Sequence, residues 1–160
     1  IFSINSLSKY SDVFQIIGVI GLIASLIFVG MELRQSQQIA LVEQQVERTK
    51  AFTELYNTAT NNNLAYLHPN NDYNEYEVFF YNFQHMFWNI GETDYLKYRL
   101  GLMDESIWQS RYSIMKRIKS REESTDRDCE ILEFVWEAKK RQLDTEFIKL
   151  IEAIPSRNCS

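Results

Sequence analysis

The sequence predicts an all-α protein, in which one N-terminal transmembrane helix continues into a long helix and packs with a small cytoplasmic helical bundle. Three observations favour this fold class. An apolar run near the N-terminus is about as long as a bilayer is thick. Apolar residues farther along recur every three or four positions, as on one face of a helix. Gly (5) and Pro (2), which interrupt helices, are scarce among the 160 residues.

The apolar run extends from Val13 to Met31, nineteen residues without a charge. As a helix rising about 1.5 Å per residue, it spans about 28 Å, close to the hydrocarbon thickness of a bilayer. A signal peptide fits less well, because Lys9 is the only basic residue upstream. A helix lying in the membrane interface has a polar face, which this run lacks. We expect a short extracytoplasmic segment over 1–12, a transmembrane helix over 13–33 and a cytoplasmic α-helical domain over 34–160.

Charges flanking the run give the expected orientation. Lys9 lies before it, whereas Arg34, Arg48 and Lys50 follow it. The positive-inside rule then places the larger domain in the cytoplasm. Glu32 and Arg34 are the boundary charges, and Glu32 is close enough to the hydrocarbon to pair with a partner's cation.

Small residues recur along the predicted transmembrane helix. Gly18, Gly21 and Ala24 are three residues apart, and Gly21 with Ser25 forms a small-xxx-small pair. Small side chains let two helix backbones approach closely, so these four residues are predicted to pack helices within the membrane. The alternative is that Gly and Ala are simply common in membrane helices.

No helix stop follows the apolar run, which predicts one long helix from near Ser11 to about Thr60. Beyond the membrane its apolar residues are spaced like a heptad seam, which would join copies or a partner. A second apolar stripe competes with that seam, so the helix alternatively packs on its own domain. The seam residues are Ile39, Val42 and Val46.

A loop is predicted from Thr60 to Asp72, since it has three consecutive Asn and a Pro. A second long helix follows, roughly from Tyr73 to Leu100, and it has two aromatic faces. One face carries Phe79, Phe83, Met86 and Ile90, and the other carries Tyr81, His85, Trp88 and Glu92.

Three shorter helices are predicted after Gly101, which can end the second helix in a left-handed conformation. Their predicted N-caps are Asp104, Thr125 and Asp144. The predicted extents are Glu105 to about Lys119, Asp126 to Arg141, and a short last helix ended by Pro155.

Two motifs resemble a known family. The apolar run ends in ELRQS (residues 32–36), and the second helix leads into YRLGLMDESIW (residues 98–108). These elements resemble an uncharacterised family of small bacterial single-pass membrane proteins, in which a Q-I-R-Q-like element follows the anchor and a YxxGLLDEExW-like block follows an aromatic helix. The resemblance implies the bacterial inner (plasma) membrane and a helical architecture, and it implies no reaction.

Composition and motifs argue against several kinds of chemistry. With 17 basic and 22 acidic residues, the chain lacks the basic excess of a nucleic-acid binder. His85 has no His or Glu three or four residues away to share a metal, and Cys129 lies between Asp128 and Glu130, which disfavour a thiolate. We therefore predict no catalytic, cofactor-binding or metal-binding residue and no cofactor.

The two cysteines, Cys129 and Cys159, are far apart in the sequence. This spacing does not resemble a disulfide framework, and we expect two free thiols, as in a reducing compartment.

The function expected is that of a structural or accessory membrane protein without catalysis. Its partners are the lipid bilayer and either copies of itself or a larger membrane complex, which it meets through the anchor and the long helix. The alternative is a membrane-tethered ligand-binding or sensor domain with a pocket around Tyr81, His85 and Trp88. A pore ranks lowest, since Gln15 and Ser25 are the only strongly polar side chains of the run.

Overall fold

The computed structural model of the chain describes residues 4–66 and 73–159. Over those residues the protein is all-helical without a strand, which confirms the predicted class. A boundary between two compact units falls after Leu41, inside the first helix. The helices of the described part are α1 (Ile4–Asn61), α2 (Glu75–Arg99), α3 (Glu105–Ser120), α4 (Asp126–Lys139) and α5 (Thr145–Glu152), with a 3₁₀ turn (Lys140–Gln142) between the last two.

The first unit is the N-terminal part of α1. The predicted long helix is confirmed, although it begins earlier than expected, at Ile4. Most of the expected 1–12 segment is therefore helical, and residues 1–3 lie outside the described part. Among the described residues one helical stretch, Val13–Asn61 of α1, is long and apolar enough to cross a membrane, and its most apolar window of 18 residues is 0% buried.

The second unit, from Val42 onward, is built around α2. Asn74 begins this helix with a capping box, in which its side chain accepts from the backbone N–H of Glu77 and the Glu77 carboxylate accepts from the Asn74 N–H. The predicted extent of the second helix is confirmed within two residues at each end. α2 packs between α3 and α4, and α5 closes the core. Side chains no more than 1% exposed include Tyr81, Trp88, Val135, Trp136, Phe147 and Ile151.

Asn82 holds the start of the loop between α1 and α2. It is 1% exposed, and its Oδ1 accepts from the backbone N–H of Tyr66 at 2.9 Å. Its Nδ2 donates to Thr60 Oγ1 at 2.9 Å and to the carbonyl of Leu64 at 2.8 Å. All three bonds are made by one buried amide, which fixes the chain direction after α1. The rest of the predicted loop, with His68, lies outside the described residues.

The corner between α2 and α3 forms as predicted. Gly101 has a φ of 72°, the left-handed conformation that glycine adopts without a steric cost. Trp108 folds back on the corner, with its ring stacked on Tyr98 at a centroid distance of 5.0 Å. Asp104 does occupy the N-cap of α3, but its side chain makes no capping hydrogen bond.

The other two predicted caps are made by side chains. Thr125 accepts from the backbone N–H of Asp128 at 3.1 Å, and Asp144 accepts from the N–H groups of Glu146 and Phe147 at 3.0 and 3.1 Å. α4 ends at Lys139 rather than at Arg141, because the chain tightens there into the 3₁₀ turn.

The expectation of two free thiols is wrong. Cys129, which is fully buried in α4, forms a disulfide with Cys159, with the two Cα atoms 5.5 Å apart. The chain after α5 turns back toward α4, and the backbone N–H of Arg157 donates to the carbonyl of Ser120 at 2.9 Å. The spacing of the two cysteines could not predict this disulfide, since a pairing over 30 residues depends on tertiary structure.

Candidate interaction surface and binding cleft

The predicted pocket residues lie in the core of the second unit. Tyr81, His85 and Trp88 are 1%, 5% and 1% exposed. The His85 ring lies 4.8 Å from the Tyr81 ring and 5.6 Å from the Tyr56 ring, and Trp88 lies 4.7 Å from Trp136, all measured between ring centroids. Tyr81 and His85 therefore pack on one another, whereas Trp88 packs on Phe87 and Trp136, and the role of the three in ligand binding stays a prediction.

The same face of α2 carries polar atoms that the fold leaves without a hydrogen-bond partner. Among the described residues these buried atoms are Gln84 Oε1, His85 Nε2, Trp88 Nε1 and Asn89 Nδ2. Burial, together with the nearby charge of Lys139, lowers the pKa of His85 to about 3. The imidazole is therefore neutral at ordinary pH, as a buried histidine without an acidic partner should be.

The opposite face of α2 is left uncovered. Phe79, Phe83 and Ile90 are 52%, 37% and 41% exposed, and Met86 between them is half-buried. The rings of Phe79 and Phe83 stack at a centroid distance of 6.0 Å. We call these four residues the α2 ridge. An exposed apolar row of this kind is a candidate surface for association.

A groove runs along each side of the α2 ridge. Toward α1 it has a volume of about 300 Å³ and is lined by Val46, Thr49 and Thr53, among others. Toward α3 it has a volume of about 200 Å³ and is lined by Ile114 and Met115, among others. Ile90 and Asp94 line both grooves. Helices that pack on one another insert ridges of this kind into grooves of the facing helix.

The predicted oligomer seam is divided between the two units. Ile39, in the first unit, is 40% exposed, whereas Val42, in the second, is only 9% exposed. Val46 is half-buried and lines the groove toward α1. Val42 is thus already covered by its own unit, which accords with the alternative that this part of α1 packs on its own domain.

The predicted membrane-packing residues are exposed in the first unit. A Cβ atom added at Gly18 or Gly21 would meet nothing within 4 Å. Ala24 and Ser25 are exposed as well, and the Ser25 hydroxyl donates to the carbonyl of Gly21 at 2.9 Å. The boundary charges Glu32 and Arg34 are exposed.

A third cavity, which we call the basic cleft, lies where α1, α2 and the turn before α5 meet. It has a volume of about 340 Å³, and its charged lining residues are Arg48, Glu92, Arg99 and Asp144. Glu92 Oε2 accepts from Gln45 Nε2 at 2.8 Å, and Arg99 pairs with Asp144 at 3.2 Å. The two carboxylates of the cleft are therefore both engaged by other groups of the unit.

Lys139 is buried next to Gln142, one of the residues that line this cleft, and sequence reasoning missed it as a site residue. It is only 3% exposed, and its Nζ lies 3.5 Å from Oε1 of Gln142, which lines the cleft. Burial, and secondly the charge of Arg48, lowers the pKa of Lys139 to about 8. One signal was present in the sequence: Lys139 follows Val135 and Trp136 by four and three residues, so it shares their buried helix face.

No family model matches this chain, and no curated protein or solved structure matches it. The resemblance to small bacterial single-pass membrane proteins therefore stays a prediction.

Proposed function

We propose that the chain is a structural or accessory membrane protein, anchored by residues 13–33, which self-associates through its anchor and the α2 ridge. The observation that carries the proposal is that both units leave apolar surface uncovered. The apolar window of the first unit is 0% buried, and the α2 ridge exposes Phe79, Phe83 and Ile90 on the second. Lipid covers the first surface in this account, and a second copy covers the other.

The shape of the second unit favours another copy as the occupant of the ridge. A two-fold pair of copies can place the ridge of each beside the grooves of the other, so one surface serves both partners. Burying a large apolar side chain fully contributes about 1.5–3 kcal/mol, so half-exposed Phe79, Phe83 and Ile90 would gain roughly 1 kcal/mol each. Anchors in one bilayer also raise the effective concentration of the copies.

The test is the oligomeric state of the full chain in mild detergent, measured by native mass spectrometry. The double variant Phe79→Ser/Phe83→Ser should shift the population toward monomers. Phe134→Ser is the matched control, since Phe134 lies on α4 and is 42% exposed, and it should leave the oligomer intact. Wild-type protein that is monomeric at every concentration, or an oligomer that survives the double variant, would contradict the ridge as the contact.

The side of the membrane on which the helical domain lies is part of the proposal. Arg34, Arg48 and Lys50 against Lys9 favour the cytoplasm, but the difference is only two charges. The disulfide favours the other side, because disulfides persist in oxidising compartments and are rare in the cytosol. We give the disulfide more weight and propose an extracytoplasmic domain.

Protease protection distinguishes the two orientations. For an extracytoplasmic domain, protease added to spheroplasts should remove the helical domain, and inside-out vesicles should protect it. The reverse pattern would establish the cytoplasmic side and would require another source of oxidant for the Cys129–Cys159 bond.

The second candidate function is a membrane-tethered ligand-binding domain. The observation that favours it is the basic cleft, which has about the smallest volume that encloses a small molecule. Thermal-shift measurements on the full chain test it, and a screen in which no small molecule raises the melting temperature would count against it.

A further inference from the structure

Two cations lie near one aromatic ring, that of Phe52, and one of them, Arg48, lines the basic cleft. The guanidinium carbon of Arg48 lies 5.7 Å from the centroid of the Phe52 ring, and Nζ of Lys139 lies 5.1 Å from the same centroid. The Tyr56 ring is 6.0 Å from Nζ. The aromatic rings attract both cations, but a ring carries no net negative charge and cannot neutralise them.

Neither cation is neutralised within the described part of the chain. Arg48 makes no ion pair there, and Lys139 has only the 3.5 Å contact with Gln142 besides the rings. Glu92 is the acid whose charge reaches Lys139, but Gln45 Nε2 and the backbone N–H of Asp144 already donate to its two oxygens. Buried charges are normally paired, so a lysine 3% exposed without a carboxylate at contact distance is unusual.

We propose that the basic cleft binds a phosphate group between Arg48 and Lys139. Arg48 offers paired N–H donors that match two phosphate oxygens, and Lys139 supplies a compact charge. Gln142, which lines the cleft, accepts from Lys139 through Oε1, so its Nε2 is available as a further donor. Two cations suit a doubly charged phosphate better than a single carboxylate. The phosphate belongs either to a soluble phosphate ester or to a lipid head group.

Titration of inorganic phosphate into the full chain in neutral detergent tests the site, with chloride balancing the ionic strength. Phosphate should raise the melting temperature above the chloride baseline, and calorimetry should give a saturable isotherm. Arg48→Gln should raise the Kd for phosphate by about tenfold or more, since it removes charged hydrogen bonds. Arg48 is exposed, so this variant should keep the fold, which circular dichroism verifies.

Two further variants sharpen the result. Lys139→Met keeps the apolar stem and should also weaken phosphate binding. Arg111→Gln is the matched control, because Arg111 is 58% exposed, lines the groove toward α3 rather than the cleft, and should bind phosphate like the wild type. The proposal is overturned if phosphate acts no differently from chloride, or if its effect survives both Arg48→Gln and Lys139→Met.

Nanodiscs identify the source of the phosphate. The Kd for inorganic phosphate is measured in discs of phosphatidylcholine alone and in discs that also contain phosphatidic acid. If phosphatidic acid raises the apparent Kd of the wild type but not that of Arg48→Gln, the site is assigned to a lipid head group. An equal Kd in both assigns it to a soluble phosphate. Either result supports the site, whereas an apparent Kd that rises equally in wild type and Arg48→Gln on adding phosphatidic acid contradicts it.

Discussion

At the scale of single residues, His85 gives the second unit a sensitivity to acid. Its pKa is about 3 in the folded protein, because burial and the charge of Lys139 oppose protonation, against an ordinary value of 6.5. Tyr56 stacks on the His85 ring and Tyr81 meets it edge to face, and neither offers it an opposite charge. The stabilising contribution of neutral His85 is therefore complete above pH 6.5 and is lost as the pH falls toward 3.

We expect the free energy of unfolding to fall by roughly 2 kcal/mol between about pH 6.5 and about pH 5, measured by urea denaturation. In His85→Phe, which keeps a ring in the stack, the loss over that range should be much smaller. Equal pH dependence in the two proteins would show that His85 is solvated in the native state.

Asn82 has a structural role that is large for one amide. Asn82→Ala removes three hydrogen bonds and leaves the N–H of Tyr66 and the carbonyl of Leu64 without their partner. We expect the unfolding free energy to fall by about 2–4 kcal/mol. Asn62→Ala, whose exposed amide makes one local bond to Thr58, should change it by less than about 1 kcal/mol.

The sequence predicted which residues share a helix face better than it predicted which face is buried. It grouped Tyr81, His85 and Trp88 on one face of a helix, and the structure places them together. It could not say that this face is the buried one, because Phe79, Phe83 and the other members of the opposite face are equally apolar. Burial depends on which helices pack against α2, and that information is tertiary.

At the scale of the helices, two N-cap aspartates differ in whether their side chains accept a hydrogen bond from the helix backbone. Asp104 and Asp144 both occupy N-caps, but only Asp144 accepts backbone hydrogen bonds. Asp144→Ala should lower the unfolding free energy by about 1–2 kcal/mol, whereas Asp104→Ala should lower it by less than about 0.5 kcal/mol. Thermal or urea unfolding measures both, and equal losses would mean that charge near the helix end matters more than the cap bond.

Helix boundaries were predictable where local residues determine them. Gly101, Thr125 and Asp144 act on their own neighbours, so their roles follow from sequence alone. The end of α4 was harder, because Lys139 continues the buried helix face while the chain tightens into the turn of Lys140–Gln142. The turn leads into α5, whose Phe147 and Ile151 are buried in the core, so the end of α4 is set together with tertiary packing.

At the scale of the whole molecule, the disulfide is the feature with the largest expected effect on stability. Closing a loop over 30 residues stabilises the folded state by about 3–4 kcal/mol in the chain-entropy account. Cys159→Ser should lower the melting temperature substantially, and reduction of the wild type by dithiothreitol should give the same decrease. The variant itself should not respond to dithiothreitol. A wild type unaffected by reduction would argue against the bond.

The division into two units has a plain physical basis. The second unit encloses its aromatic core, whereas the apolar side chains of the first have no protein around them in the described part of the chain. Exposing such a surface to water is unfavourable by about 25 cal/mol for every Å². The membrane proposal resolves this cost, and the proposals about self-association and orientation both depend on it.

Alkaline carbonate extraction of membranes from cells that express the full chain tests this claim most directly. We predict that the protein stays in the membrane pellet and is released only by detergent. Ile20→Arg/Ile23→Arg, in which each charge opposes insertion by about 2.5–3.5 kcal/mol, should move it to the supernatant. Wild-type protein that is found in the supernatant, and stays soluble without detergent, would contradict the account.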